Sequence, residues 1–573
     1  MDQPKQTKPQ ENTPIGFVYG GGLEANLQVR LTVPAQEVQS GAFVVMDSGF
    51  WRFYGLVTDL QLGAIDLQYA NQLNIDRFDP ALAAILNKQT LFTNLAVMPT
   101  LMREIGPEPG SPEYKAWAEE SQLQSKLMPV KTVPDHHTEV RLANEVDISE
   151  IFGEESKTVF RVGETREQGH PVCLNLKDFV KRSAGIFGTT GSGKSWLARM
   201  ILAGLIKADT ASTLIFDMHN EYGLDSTSSD TNEPAPGLAG KFKGKVKLVG
   251  LGSKTTIRGV QPDFDLEIAH SDIMPEDILL LTQTLGLTDT TPATLDALYG
   301  DFKENWFTVF MNMKTGAGST YTDDNGKQYP TEDSVAYWAK NANIHEIAAT
   351  TLHSKLKRLF NRDYIVPKTA SKVLDSLVNL LQNGKHIVLS FGKYESDIDY
   401  LLVTNLITRK IRQEWEKMTD NYHIEGNNAP RPLVIAVEEA HKLLNREMAS
   451  QTIFSTIARE MRKYYVTLLI IDQRPSQIYD EVMSQLGTRI SASLGDEDDI
   501  AAVLSGLSGR SALRGMLAKL QPKQEALLLG WGVKMPIVIR SRRYDQKFWD
   551  ELLGKDEQAM SDDDYLKRMG YFS

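Results

Sequence analysis

The densest chemistry in this chain lies in Gly188-Thr189-Thr190-Gly191-Ser192-Gly193-Lys194-Ser195, which fills the pattern G-x-x-x-x-G-K-[ST] at every required position. Glycines let the backbone turn tightly enough for successive N–H groups to point at phosphate oxygens. Lys194 can reach the β- and γ-phosphates, and the Ser195 hydroxyl can ligate Mg²⁺. The context suits that use. Ala184 to Phe187 is a short apolar strand candidate, and Trp196 to Lys207 reads as a helix whose N-terminus adds its dipole to the site. The loop calls for ATP with Mg²⁺, but it does not say what work the nucleotide drives.

A phosphate loop needs carboxylates for the metal and for the attacking water. "LVIAVEEAHKLL" supplies an apolar strand ending in Glu438-Glu439. Glu439 is the candidate to orient and activate water, and Glu438 to hold hydrated Mg²⁺. The bland alternative is two exposed acids closing a strand. The next apolar run ends in "IDQRPSQI", which places Gln473 where its amide can contact a γ-phosphate or simply occupy a turn before proline. Between the two runs lies "SQTIFSTIAREMRKYYV". Ile453, Ile457 and Met461 share one helical face, which leaves Arg459, Arg462 and Lys463 off it. Such cations can stabilise charge on a neighbour's γ-phosphate or merely be solvated. Arg182, just before the loop, is a candidate of the same kind. In "DMHNEY", Asp217, His219 and Glu221 stand at the carboxyl end of a strand, either lining a ligand crevice or capping a turn. His219 and His441 have no metal-ligand spacing with a cysteine, so no zinc site is expected.

The elements that must position these residues follow from length and pattern. At 573 residues the chain exceeds one ordinary domain. Hydrophobic residues at 41% and charged residues at 24% fit a soluble globular protein. The single cysteine, Cys173, excludes an internal disulfide and fits a reducing compartment, so a cytoplasmic location is expected. No apolar run reaches the ~20 residues that span a bilayer, so no membrane association is expected. Residues 1–14 read as a flexible polar tail and not as a signal peptide. Residues 15–165 have short runs rich in branched and aromatic residues, with glycine turns between them, and suggest a small β-barrel. Residues 166–545 alternate apolar strands with helical patterns, an α/β domain whose near-continuous apolar strands predict a mainly parallel sheet. A helical insertion interrupts it at about 266–380 and contains a polar loop at 314–334. The tail, 546–573, reads as one or two short acidic helices.

Net charge is −12, which argues against coating nucleic acid with the outer surface. The basic segments "KFKGKVK" (241–247) and "HSKLKRLFNR" (353–362) either contact phosphate or form ordinary solvated faces.

Taken together, "GIFGTTGSGKS", "LIFDMHNEYG", "IAVEEAHKLL", "AREMRKYYVTLLIIDQRPSQI" and the opening "IGFVYGG" resemble the HerA family of hexameric DNA translocases, within the HerA/FtsK group, over about residues 15–545. The resemblance implies a RecA-like ATPase core, an N-terminal HAS-like barrel and a homo-hexamer around double-stranded DNA. It also implies a partner, either a NurA-like nuclease or another effector such as one of anti-phage defence. By motif, Lys194 and Ser195 would hold phosphate and Mg²⁺, Glu439 would be catalytic, and Gln473 would sense the γ-phosphate. Arg462, and less directly Arg459, would reach into a neighbour's site. Glu438 departs from the family, where aspartate is usual. Two other readings stay open, an ATP-binding scaffold for an effector and a conjugation- or secretion-type ATPase. A ring would reconcile acidic charge with DNA, because only its lumen must attract phosphate.

Overall fold

Alternation along the first strands closes them into a barrel. The strands are β1 (Pro14–Gly21), β2 (Leu27–Leu31), β3 (Phe43–Ser48), β4 (Trp51–Ala64), β5 (Leu91–Glu104), β6 (Met128–Pro129) and β7 (Glu139–Leu142). In β2, "LQVRL" buries alternate residues, which puts Leu27 and Val29 inside with Val44, Phe53, Val97 and Val140. The order β2-β1-β7-β3-β4-β5 is closed by an antiparallel β2–β5 pairing, and β6 flanks β5. Two register shifts between β4 and β5 bend that long hairpin enough for closure. At one of them Gly55 is required, since a Cβ there would lie 2.8 Å from Val97 Cγ1 and 2.9 Å from the Met98 carbonyl oxygen.

This computed structural model describes residues 13–64, 91–107, 111–114, 117, 126–166, 168–227, 234–369, 373–426, 428–448, 453–507 and 509–554. The expected tail at 1–14 lies outside them apart from its last two residues, of which Pro14 begins β1. Most of the expected terminal helices also lies outside.

The later strands are β8 (Val159–Thr165), β9 (Pro171–Asn175), β10 (Ala184–Phe187), β11 (Ser212–Asp217), β12 (Val246–Leu251), β13 (Phe264–Leu266), β14 (His386–Ser390), β15 (Leu433–Glu438), β16 (Val466–Asp472), β17 (Thr488–Ser491), β18 (Glu525–Gly530) and β19 (Ile537–Ser541). By internal packing the chain forms two compact units. One comprises Met1–Phe179, Ile186–Leu197 and Gly487–Arg543; the other comprises Val180–Gly185, Ala198–Leu486 and Tyr544–Ser573.

The second unit holds the run β13-β12-β14-β11-β15-β16, parallel throughout. β11, β14, β15 and β16 are buried at every residue, as parallel strands covered on both faces must be. In the first unit the order β17-β18-β19-β8-β9 is antiparallel at every step. The expected parallel sheet is thus found in the second unit, whereas the strands of the first unit are antiparallel, so the sheet structure taken together is mixed. Strand direction is set by which neighbour a strand pairs with, and an apolar run has the same composition either way. β8, which the sequence pattern groups with the barrel, pairs instead with β19 and β9.

The segment between β13 and β14 is helical, with Leu295, Leu298, Trp306, Phe307, Phe310, Trp338 and Leu356 buried. Its polar loop contains a short antiparallel hairpin, Thr320–Thr322 with Gln328–Pro330. A 29-residue helix, Asp397–Glu425, follows β14, with Ser396 as N-cap and left-handed Gly426 closing it. Near the C-terminus, Gln546–Leu553 forms an amphipathic helix. Its Trp549 packs edge-on to Phe242, at 5.6 Å between ring centroids. Among the described residues no helix is long and apolar enough to cross a membrane.

Candidate functional site

The phosphate loop is a strand–loop–helix junction. β10 ends at Phe187, and the helix Lys194–Ala208 begins directly after Gly193. Gly191 (φ 75°) and Gly193 (φ 97°) are left-handed, a conformation that side chains resist. Gly188 is required for space, because a Cβ there would lie 2.4 Å from Ser192 Oγ and 3.0 Å from Ala492 Cβ. The loop is pinned by Thr189 N–H donating to the Ser493 carbonyl (3.1 Å) and Ser192 N–H donating to the Thr189 carbonyl (3.1 Å). Ser192 Oγ is buried and finds no hydrogen-bond partner among the described residues. A buried hydroxyl left so is costly unless a ligand satisfies it, and phosphate oxygens have the right chemistry. Lys194 is buried, whereas Ser195 and Trp196 are half-buried. Loop, lysine and hydroxyl together can hold a nucleoside triphosphate and offer Ser195 to Mg²⁺.

The carboxylate group is built at the ends of β15 and β16. β15 is wholly buried, so Glu438 is carried inward, and Tyr400 Oη donates to its main-chain carbonyl at 2.7 Å. Tyr222 is completely buried, and its hydroxyl has no hydrogen-bond partner among the described residues. Burial pushes its phenol well up, and the Glu438 charge adds to that. Glu439 follows in a left-handed conformation, φ 46°. Strain of this kind persists only where surrounding contacts over-determine it. Here Gln473 Nε2 donates to Glu439 Oε1 at 2.8 Å, and His441 Nδ1 lies 3.5 Å from Glu439 Oε2. The two residues expected to work on the γ-phosphate and its water are thus brought together.

Asp472, one residue before Gln473, organises this corner. It is fully buried and accepts from the N–H of His441 (2.7 Å) and the N–H of Arg474 (2.7 Å), while His441 Nδ1 lies 3.0 Å from Oδ2. Burial pushes the carboxyl up, but the bonds to His441 and the two N–H groups outweigh it and hold it below its ordinary value. The same pairing raises the His441 imidazole against the opposing effect of burial. Glu439, His441 and Asp472 each offer one ligand atom within 4.8 Å of the others, a set able to take a divalent ion. Cysteine spacing carries no trace of this grouping, whose three ligands are two carboxylates and one imidazole. Its sequence signal is Asp472 at the carboxyl end of an apolar strand, the rule that singles out Asp217, His219 and Glu221.

For Asp217 the capping alternative holds. Its buried carboxylate accepts from the N–H groups of Glu221 (2.7 Å), Tyr222 (2.9 Å) and Gly223 (3.1 Å). His219 is exposed and Glu221 half-buried. Ile457 and Met461 are buried as expected, but the helix Ile453–Glu460 gives way to a 3₁₀ turn, Met461–Tyr464. Arg459 is therefore on the helix and Arg462 on the turn, both exposed; Arg459 pairs with Glu481 at 3.1 Å. Arg182 is half-buried ahead of β10. Three residues of the basic segments serve packing or ion pairs, and Lys243, Lys357 and Arg358 are exposed. His353 is buried edge-on to Phe310, Arg362 pairs with buried Asp399 at 3.0 Å, and Lys247 pairs with Asp263 at 2.8 Å.

Comparison with known proteins bears on the same segments. Residues 160–411 match the family model described as "Helicase HerA, central domain". The DNA double-strand break repair helicase HerA of Saccharolobus solfataricus is 22% identical over 561 residues, 96% of this chain and 95% of that protein. Its namesake from Sulfolobus acidocaldarius is 23% identical, over 93% of this chain and 94% of that protein. Among solved structures, VirB4 of Thermoanaerobacter pseudethanolicus is similar at 18% identity with a TM-score of 0.40, covering 68% of this chain and 97% of that one.

Proposed function

The chain belongs to the HerA family of ATPases, and from that premise we propose that it is an ATP-driven translocase acting on double-stranded DNA as a homo-hexamer. The observation that carries the reading is the 2.8 Å hydrogen bond between Gln473 and Glu439, held by the Asp472–His441 pair. Lys194 and the loop N–H groups bind the triphosphate, and Ser192 Oγ adds a donor to it. Glu439 takes the proton of the attacking water as its oxygen bonds to the γ-phosphorus in line, while the bond from the γ-phosphorus to the β–γ bridging oxygen breaks and ADP and phosphate are released. Gln473 reports the γ-phosphate through its amide, exchanging the Glu439 carboxylate for a phosphate oxygen. Ser195 and Glu438 would hold Mg²⁺, which would offset the negative charge of the triphosphate.

Arg462 and Arg459 are exposed and thus available to a neighbouring copy, the arrangement in which a cation completes a site in trans. That requirement supports a ring. The relatives' printed role in DNA double-strand break repair supports duplex DNA as the substrate; a nuclease or other effector as partner and a cytoplasmic location complete the proposal. The test is ATP hydrolysis by the purified chain with and without duplex DNA, alongside its mass in solution. Duplex-stimulated turnover by a hexamer, abolished in Lys194→Ala, is expected. A monomer that hydrolyses ATP equally well without DNA would overturn the translocase reading.

A further inference from the structure

The turn before β18 lies against the phosphate loop and has no part in the chemistry described so far. In it Lys523 adopts a left-handed conformation, φ 64°, and its N–H donates to the Ser192 carbonyl at 2.9 Å. The approach is close: a Cβ on Gly193 would sit 3.3 Å from Lys523 Cα. A lysine is not held there by its own preferences. Its neighbours hold it. Buried Glu525 accepts the Gln521 N–H at 2.9 Å, and Ser541 N–H donates to the Gln524 carbonyl at 2.7 Å. Both oxygens of Glu525 are taken by one guanidinium, that of Arg166, with Nε to Oε1 at 2.6 Å and Nη2 to Oε2. The remaining arm of Arg166 donates from Nη1 to the Ser40 carbonyl, 3.0 Å away, between β2 and β3 of the barrel.

A bidentate guanidinium–carboxylate pair fixes orientation as well as distance. As a source of stability a buried pair is weak, since apolar replacements often do as well. Orientation is what it contributes, and the object oriented is the turn behind a phosphate-binding loop.

We propose that Arg166 and Glu525 are positioning residues for the nucleotide: their fork presses the Gln521–Glu525 turn onto the phosphate loop and ties that loop to the N-terminal barrel at Ser40. Loosening the fork lets the N–H cradle relax, so ATP is held less well while Glu439 and Gln473 keep their arrangement. A ligand that displaces the barrel segment at Ser40 acts on ATP affinity by the same route. The inference rests on the reading that Gly188–Ser195 binds the triphosphate.

The test uses the full chain with Glu525→Gln, which is isosteric, and Arg166→Ala. Three readouts are taken: equilibrium binding of a fluorescent ATP analogue, kcat and KM for ATP, and melting without nucleotide. Both variants should raise Kd and KM about tenfold, the loss of one charge-assisted contact, with kcat at saturation within about twofold of the parent. A lowered melting temperature with unchanged Kd and KM would show the pair to be scaffold alone and overturn the proposal, as would a fall in kcat at constant KM. Should Arg166→Ala not fold, Glu525→Gln decides by the same criteria. Lys194→Ala separates the two layers: if it binds the analogue like the parent, the phosphate-loop reading itself fails, whatever the Glu525 variant does.

Discussion

Replacing Asp472 with asparagine should loosen the corner that carries Glu439 and Gln473, and the size of the effect can be worked from its bonds. The carboxylate accepts two main-chain N–H groups at 2.7 Å, from His441 and Arg474, and faces the His441 imidazole at 3.0 Å. Asparagine retains one acceptor oxygen and sets an NH₂ against one of those donors. A hydrogen bond to a charged group contributes about 1.5–3 kcal/mol, and a buried donor left unmet costs about 1–3 kcal/mol. Because Asp472 is fully buried, solvent does not soften the loss. The unmet donor belongs to the same lost bond, so the two overlap and give about 2–4 kcal/mol of local destabilisation, which corresponds to roughly a 30-fold or greater rise in local opening. Native-state hydrogen exchange reads this directly. The amides of His441 and Arg474 should exchange at least roughly 30-fold faster, while those of Glu221 and Tyr222, held by Asp217, stay unchanged. Turnover should fall about tenfold as the Glu439–Gln473 contact loses its support. Exchange at both reporter amides within about twofold of the parent would refute the claim that Asp472 staples the two strand ends.

Three further outcomes are expected. The raised His441 pKa means that its pairing with Asp472 stabilises the fold fully below the ordinary 6.5 and is lost as pH rises through the higher folded value. The lowered Asp472 contributes above its ordinary 3.8 and is lost as pH falls through its lower folded value. The melting-temperature gap between parent and His441→Ala should therefore be widest between those limits and shrink above the upper one; a gap independent of pH would count against the pairing. Gly188→Ala drives a Cβ to 2.4 Å from Ser192 Oγ and should weaken binding of an ATP analogue at least about tenfold, with the far-ultraviolet circular dichroism unchanged. Glu439→Gln should lower hydrolysis by roughly 10²–10⁴-fold while ATP binding persists, because an amide cannot take the water's proton.

What could be read from the residues alone was whatever is contiguous. The loop Gly188–Ser195 requires left-handed glycines and a following helix, and both demands are local, so the structure places them as expected. Burial alternating along β2 and unbroken along β15 and β16 is likewise a property of one strand at a time. Partnership is not. β8 reads like a barrel strand but pairs with β19, some 370 residues later, because only the folded chain presents that edge. The antiparallel direction of β17, β18 and β19 follows from their neighbours and leaves no mark on their composition.

The site divides in the same way. The amino-acid sequence by itself determined which residues can bind phosphate, ligate a cation or activate water, since those are properties of side chains and of a short loop. Tertiary structure decided that Asp472 meets His441, 31 positions away, that Gln473 donates to Glu439, and that Arg166 clamps Glu525 across 359 positions. Contacts at such separations repay the entropy of closing the chain only when the whole fold forms, so no local pattern announces them.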